Sequence, residues 1–409
     1  MLMFEYLLQY NRYMNLLGIL VILGIAFLFS KHKSRVNLRL VLTGILLQLL
    51  IGFCVLRTDA GHWVLDKISY YVSELYQFAD KGSHFVFGEL IHQEGPWGFI
   101  FAVKVLPIII FFGALMAVLF HFNVIQRVVG LINFFIRPLL GTSGAETLCA
   151  ISNSFLGQTE APLLIRHYLA DMTRSEMLVV MVSGMATISG AILVVYAAMG
   201  VPVAHLLASS VMSIPASIVI AKILLPETEK AKTGDGEGLE VTPSVHTENV
   251  FDALSAGTSD GLSLALNVGA MLISFLALLA LINALLGAIY PALSLQYIFA
   301  YLFAPFGYLL GFTGTDALAA GQLIGTKVAV NELIAYGEMV KMNLSERATD
   351  ILTYALCGFS NFSCIGIQIG GIGALVPSKR QWLTQLGLYA VLGGALSNLM
   401  CAMMAGLLL

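Results

Sequence analysis

Charge is what this chain has least of. Aspartate, glutamate, lysine and arginine make up 11% of its 409 residues, against about 25% in a soluble domain. So few polar side chains cannot cover a water-facing surface, and with 58% of the residues hydrophobic the solvent for most of the chain must be lipid. A net charge of -3 and the lack of any basic block exclude a nucleic-acid partner. Cysteine is scarce too. Cys54, Cys149, Cys357, Cys364 and Cys401 stand apart in apolar segments with no CxxC pair, which excludes a disulfide frame or a zinc site and leaves them as small core residues. The eight histidines never pair at ligand spacing on one helix, and no GxxxxGK[ST] run provides for ATP.

What the chain has instead is long apolar runs. A helix needs about 20 apolar residues to cross about 30 Å of hydrocarbon, and eight segments qualify: 14–30, 41–56, 97–120, 177–199, 203–225, 268–290, 351–376 and 382–409. Lys31, His32 and Lys33 follow the first run where a signal peptide would carry small residues, so that run reads as a span. Three further stretches are amphipathic: 63–78, 124–140 and, more weakly, 249–262. In the first, Val64, Ile68, Tyr71, Val72 and Leu75 form an apolar stripe, with Asp66, Lys67 and Glu74 off it. Such helices are expected to lie along the interface. Residues 226–249 are charged and poor in large apolar groups, and read as a flexible aqueous connection between two halves. Lys31, Lys33, Arg35 and Arg39 after the first span, and Lys379 and Arg380 before the last, place both loops in the cytoplasm by the positive-inside rule, with both termini outward.

Two stretches are too interrupted to span as one helix, and they repeat. The first, GAETLCAISNSFLGQTEAP, carries Glu160; the second, DALAAGQLIGTKVAVNELIAY, carries Glu332. Each precedes a span with polar residues at matching places: Gly184, Thr187 and Ser189, then Gly358, Asn361 and Ser363. Glu160 precedes Gly184 by 24 positions and Glu332 precedes Gly358 by 26. Ser143 and Glu146 form an S-x-x-E capping box that starts a half-membrane helix at Gly144. That helix runs to about residue 155, the chain turns at SNSFLGQTEAP, and a helix resumes through LLIRHYLADM. Residues 316–342 repeat the pattern, with the tip at GTKVAVNE. Non-helical backbone at membrane depth survives only if buried in protein or lining water. Paired broken segments in corresponding halves point to a transporter's binding site.

Here the chain resembles the concentrative nucleoside transporter family. The resemblance rests on Gly157-Gln158-Thr159-Glu160-Ala161-Pro162, on Gly325-Thr326-Lys327 followed by Asn331-Glu332-Leu333-Ile334-Ala335-Tyr336, and on Cys357-Gly358-Phe359-Ser360-Asn361-Phe362-Ser363. Val105-Leu106-Pro107 and Phe111-Phe112 fit as well, and nearly the whole chain from about Leu16 is covered. The resemblance implies an all-α integral membrane protein of the bacterial inner membrane. It would have eight transmembrane helices, two re-entrant hairpins, interfacial amphipathic helices and an inverted-repeat core moving as an elevator. It also implies a homotrimer, no enzymatic activity, and nucleoside import driven by a cation gradient, sodium or alternatively protons; another small neutral polar solute is a remoter alternative. Residues 1–120 would form scaffold spans, 121–225 the first half of the transport core, 226–290 the polar loop, an interfacial segment and a scaffold span, and 291–409 the second half.

Residue chemistry fits that expectation. Glu332 and Asn361 suit a ribose, since a carboxylate accepts from two hydroxyls and an amide both donates and accepts. Gln158, Thr159 and Glu160 offer mixed polarity to a base edge, and Phe359 and Ile192 offer apolar walls. By resemblance, Cys364 stands where the family has a ribose-binding serine, and a thiol is the weaker partner. By resemblance also, Asn153 and Thr187, with the carbonyls of Leu156 and Ile188, would hold sodium. The alternative is structural: Asn153 caps a half-helix and Thr187 bonds back to its own helix. Lys104 reads as a scaffold pair or a snorkelling side chain, Lys327 as a tip anchor, and Ser363 as a helix-packing or backbone-bonding residue. A channel and a membrane enzyme are the rival classes. The chain lacks a filter-like ring of charges for the one, and an activated nucleophile or metal cluster for the other.

Overall fold

The computed structural model describes residues 2–91, 96–98, 100–233 and 247–409, and the secondary structure among them is helical throughout. Most of the predicted spans appear as unbroken helices. The first two are α1 (Arg12–Leu28) and α2 (Leu38–Arg57, capped by Asn37). The amphipathic stretch at 63–78 is the middle of a longer helix, α3 (Asp59–Phe87). The span expected at 97–120 narrows to a short turn of helix, Phe101–Lys104, followed by α4 (Leu106–His121), whose second residue is Pro107; residues 92–95 and 99 lie outside the described residues. The amphipathic helix α5 (Val124–Leu140) then has the expected bounds and ends at Gly141 with φ 63°, a left-handed cap that favours glycine.

The Ser143–Glu146 capping box forms as expected and starts α6 (Gly144–Ser152). Beyond the tip the return arm differs from expectation: only Ala161–Leu164 is helical, and the chain then descends through turns to residue 171. A second capping box, Thr173 with Glu176, opens the next span. That span, expected to run whole over 177–199, is broken into α7 (Arg174–Ala186) and α8 (Gly190–Ala198), with Thr187 and Ser189 extended between them. Then comes α9 (Val203–Leu224).

The weak amphipathic stretch at 249–262 and the span at 268–290 are not separate. They form one helix of 40 residues, α10 (Val250–Ile289). Its Gly257 and Gly261 explain the continuity. A Cβ at Gly257 would lie 2.6 Å from the Gly113 carbonyl oxygen, and one at Gly261 2.8 Å from the Ile110 Cα. This is a GxxxG-type crossing on α4, which the apolar-run pattern alone does not reveal. Residues 295–309, which the run pattern left unassigned, form α11 (Leu295–Leu309). It folds back at a 115° bend on α12 (Gly314–Ala329). Gly307 and Gly321 allow the close packing, since Cβ atoms there would fall 2.3 and 2.4 Å from facing carbonyl oxygens. The second re-entrant pair is α12 with α13 (Glu332–Met339). The span expected at 351–376 is broken into α14 (Glu346–Leu356) and α15 (Phe362–Leu375), and α16 (Arg380–Leu408) closes the fold. Among the described residues, seven helices are long and apolar enough to cross a membrane, or eight counting the bent pair.

The core sits where α7, α9 and α16 meet, and these helices are largely buried by protein rather than facing lipid. The two basic loops lie at one end of the bundle: Lys31 donates its amide to the Leu224 carbonyl, and Lys379 reaches the Met172 carbonyl. Lys104 pairs with Asp80 of α3 at 2.7 Å, the scaffold pairing expected of it.

The polar connection is not free from its start. Lys222, near the end of α9, lies 2.8 Å from Glu146 and 3.4 Å from Glu227. Thr173 donates to Glu227 at 2.8 Å, and Thr233 donates to Glu176. Residues 226–233 are thereby tied across the bases of α6 and α7, and both capping-box glutamates take part; residues 234–246 lie outside the described residues. Removing one partner of a buried pair leaves an uncompensated charge, at a cost of about 3–5 kcal/mol. Lys222→Ala is therefore expected to lower the melting temperature of the detergent-purified protein. Lys222→Met combined with Glu146→Gln is expected to recover most of the loss, and an unchanged melting temperature for Lys222→Ala would contradict this role.

Candidate functional site

Three chain breaks resume as helices with a polar side chain capping the new turn. Ser189 accepts from the Ile192 amide at 3.4 Å, Asn331 from Ile334 at 2.9 Å and Asn361 from Cys364 at 3.1 Å. A cap of this kind satisfies one of the free amides at a helix start. Here it also fixes where Glu332 and Asn361 stand, since each sits at the start of its half-helix.

Glu332 and Asn361 meet directly. The Asn361 Nδ2 donates to Glu332 Oε2 at 3.0 Å, and the Tyr196 hydroxyl donates to Oε1 at 2.9 Å. Glu332 is 5% exposed and Asn361 1%, so the carboxylate is held by neutral donors in a largely dry place. Tyr196 itself stacks on Tyr336 with ring centroids 4.5 Å apart. Ser363 bonds a side chain: its hydroxyl donates to Asn361 Oδ1 at 2.6 Å, so it helps orient that amide.

The tip of the first hairpin lies against α15. Gln158 Nε2 donates to the Cys364 thiol at 3.3 Å. Thr159 presses on Gly371, where a Cβ would come within 2.5 Å of the threonine methyl. Because Asn361 caps the turn that carries Cys364, the Gln158 contact and the Glu332 cluster share one helix start. Glu160 differs from its neighbours. It is exposed, and its carboxylate accepts only from the Gly157 amide of its own tip, at 3.2 Å. No side-chain bond joins it to Glu332 among the described residues. Ile192 is buried and Phe359 half-buried.

The four residues expected to hold a cation lie on two segments that are bonded to each other. Asn153 Nδ2 donates to the Ser183 hydroxyl at 3.0 Å, and the Thr187 hydroxyl donates to the Ser183 carbonyl at 2.8 Å. The Gly190 amide donates to the Phe155 carbonyl at 3.1 Å, which ties the hairpin tip to the break in the α7–α8 span beside Leu156 and Ile188. Thr187 does bond back to its own helix, as the structural alternative required. Yet Asn153 Oδ1 is buried with no protein donor, and among the described residues no amide donates to the carbonyls of Leu156 or Ile188. Oxygen ligands of this kind suit a hard cation such as sodium.

Sequence reasoning missed the residue that joins these parts. Asn398, on α16 and wholly buried, donates to the Ala186 carbonyl at 2.6 Å and to the Cys357 carbonyl at 2.7 Å. Its Oδ1 accepts from Lys327 at 2.6 Å and from Ser360 at 3.3 Å, and Lys327 also donates to the Ala355 carbonyl at 2.9 Å. Lys327 thus anchors the second hairpin, as read from its motif. Tyr196 was missed as well. Both carry the signal of a lone polar group inside an apolar run, and Tyr196 lies seven residues, two helical turns, beyond Ser189.

Known proteins share this arrangement along nearly the whole chain. Residues 17–90 match the model described as Na+ dependent nucleoside transporter N-terminus, 102–203 the one described as nucleoside recognition, and 205–406 the one described as Na+ dependent nucleoside transporter C-terminus. The chain is 38% identical to the nucleoside permease NupC of Helicobacter pylori, over 97% of this chain and 98% of that one. It is 39% identical to sodium/nucleoside cotransporter 1 of Rattus norvegicus, over 96% of this chain but 63% of the longer rat protein. A solved structure of CNTnw in an inward-facing substrate-bound state superposes with a TM-score of 0.92 at 40% identity, covering 97% of this chain and 98% of that one. Fold, broken spans and sequence agree: the chain is an integral membrane protein of the plasma membrane and belongs to the concentrative nucleoside transporter family.

Proposed function

We propose that this protein is a secondary active symporter that imports nucleosides across the bacterial inner membrane, driven by sodium. The observation that carries this reading is the Glu332–Asn361 pair, which brings a hairpin tip and a span break together around one carboxylate. A ribose presents two adjacent hydroxyls. Glu332 accepts from both, while Asn361, steadied by Ser363, exchanges its bond to the carboxylate for one to the sugar. A site built this way rejects analogues without those hydroxyls, because its own buried groups would be left unpaired. The relatives named above include a nucleoside permease and a sodium/nucleoside cotransporter, which supports the same substrate class.

Gln158, Thr159 and Glu160 face the base edge, and Ile192 and Phe359 wall it. Glu160 lies at the exposed rim of its tip and acts on the base or on water bound to it. Cys364 completes the sugar end with a weak thiol partner. Sodium is held by Asn153 and Thr187 with the carbonyls of Leu156 and Ile188. Because the Phe155–Gly190 bond lies between these carbonyls, a bound ion stiffens the tip that carries Gln158. Binding is therefore ordered, ion before nucleoside. The loaded core then moves as an elevator against a scaffold shared by three copies.

The energy is sufficient. One charge moving through about 100 mV gains roughly 2.3 kcal/mol, and a tenfold sodium gradient adds about 1.4 kcal/mol. Together these sustain accumulation of a neutral solute on the order of several hundredfold.

Uptake of radiolabelled uridine and adenosine into proteoliposomes, with sodium and proton gradients imposed separately, tests the reading. Sodium alone is expected to drive concentration. A proton gradient sufficing by itself would move the coupling to a carboxylate, and no nucleoside uptake under either would end the proposal. Glu332→Gln is expected to cut uridine uptake by more than about tenfold, as loss of a charged hydrogen-bond partner should, while the protein still purifies intact. Asn153→Ala is expected to raise the sodium concentration for half-maximal uptake by about tenfold, the worth of one ligand contact. An unchanged sodium response would remove it from the site.

A further inference from the structure

One face of α15 does more than carry Cys364. Cys364, Gln368 and Gly371 follow at i, i+4 and i+7, a spacing that stacks them on one side of a helix. The outer two touch the first hairpin's tip directly, through Gln158 and Thr159. Gln368 lies between them in the middle of an otherwise apolar helix and has 0% exposure. Its Nε2 donates to the Met181 carbonyl of α7 at 2.9 Å. That bond sets the orientation of the amide, since a flipped side chain would place oxygen against oxygen.

Gly184, one turn beyond Met181, is where the two glutamines meet. A Cβ there would lie 2.9 Å from the Gln158 Cβ and 3.0 Å from the Gln368 Nε2. Only the absence of a side chain at Gly184 lets both pack into that gap. Gln158 is therefore located by two contacts of different kinds. A thiol, a poor hydrogen-bond acceptor, holds its Nε2, and Gln368 flanks its stem across Gly184. With Nε2 directed at Cys364, the free group of Gln158 is its Oε1, which is buried and has no protein donor; the Oε1 of Gln368 is likewise buried without one. A buried acceptor without a donor is costly. The Gln158 oxygen, at the hairpin tip, therefore favours a ligand that supplies N–H, directly or through a bound water.

We propose that Gln368 is a positioning residue for the nucleobase end of the site. Wedged between Met181 and the gap at Gly184, it holds the stem of Gln158 where the amide reaches Cys364 and leaves its oxygen for the base, so that the site selects bases presenting an N–H donor on their edge. This rests on the nucleoside reading above. Gln368 does not touch the base; it acts through Gln158.

The test is a double-mutant cycle on uptake by the full-length protein in sodium-loaded proteoliposomes, with nucleoside binding measured separately by calorimetry. Gln368→Met keeps length and volume but removes both polar atoms. It is expected to raise KM for uridine and cytidine about tenfold, as loss of one hydrogen bond would, with kcat and the sodium response within about twofold of wild type. In a Gln158→Ala background the same substitution is expected to leave KM unchanged, because the group it positions is gone. Gly184→Ala, which crowds the same gap, should reproduce the KM effect if Gln368→Met fails to fold. Additive effects of Gln368→Met and Gln158→Ala, or a loss confined to kcat or to melting temperature, would overturn the proposal. Wild-type protein that binds and transports no nucleoside would instead overturn the functional reading, so the two failures are distinguishable.

Discussion

One buried amide carries the architecture. Two membrane spans are broken at the same depth, and backbone freed from a helix inside a membrane must find partners in the protein. Asn398 serves both breaks at once, donating to a carbonyl of each, and its oxygen takes the Lys327 ammonium of the second hairpin. Nothing else in the described chain brings α16, both broken spans and a hairpin to one point. Gly358 makes room for this, because a Cβ there would fall 2.5 Å from the Asn398 Oδ1. The glycine in the Cys357–Ser363 motif is therefore a packing requirement of the joint before it is anything else.

From that joint the chemistry follows by short steps. With Ala186 and Cys357 pinned, the chain leaves each break extended and re-enters a helix with a polar cap. The caps decide which side chains stand at the opening of each half-helix, and among these are Glu332 and Asn361, the pair proposed to meet the sugar. Lys327 stands one helical end away from Glu332 and is spent on carbonyl and amide oxygens rather than on the carboxylate. Glu332 is thereby left to neutral donors, which a ligand hydroxyl can replace without breaking an ion pair.

Much of this was legible in the residues. The capping box at Ser143, the hairpin tips, the grouping of Glu332 with Asn361 and the anchoring role of Lys327 follow from polar groups placed inside apolar runs, whereas the spans around Thr187 and Asn361 read as whole crossings and are each broken in two. What the residues hid was contact at a distance. The union of 249–262 with the following span depends on Gly257 and Gly261 meeting Gly113 and Ile110, about 150 positions earlier in the chain. Helix α11 was passed over because Pro305 and a run of aromatics blur its periodicity. The return arm of the first hairpin looked helical, since Leu163 to Met172 suits a helix locally; its amides instead bond carbonyls three residues back, which winds it as successive tight turns. Tyr196 and Asn398 each looked like one polar residue in a greasy stretch until their partners were known.

Helix α10 is longer than a membrane crossing needs. At about 1.5 Å per residue its 40 residues measure about 60 Å, twice the thickness of the hydrocarbon layer. It is gripped by α4 near its beginning, at Gly257 and Gly261, and it carries its two charges, Asp252 and Asp260, in that same end. The remainder is apolar and mostly open on this chain. Near its far end Asn283 donates to Gln296 and accepts from the Leu295 amide, so one unbroken rod both lies on α4 and fixes where α11 begins.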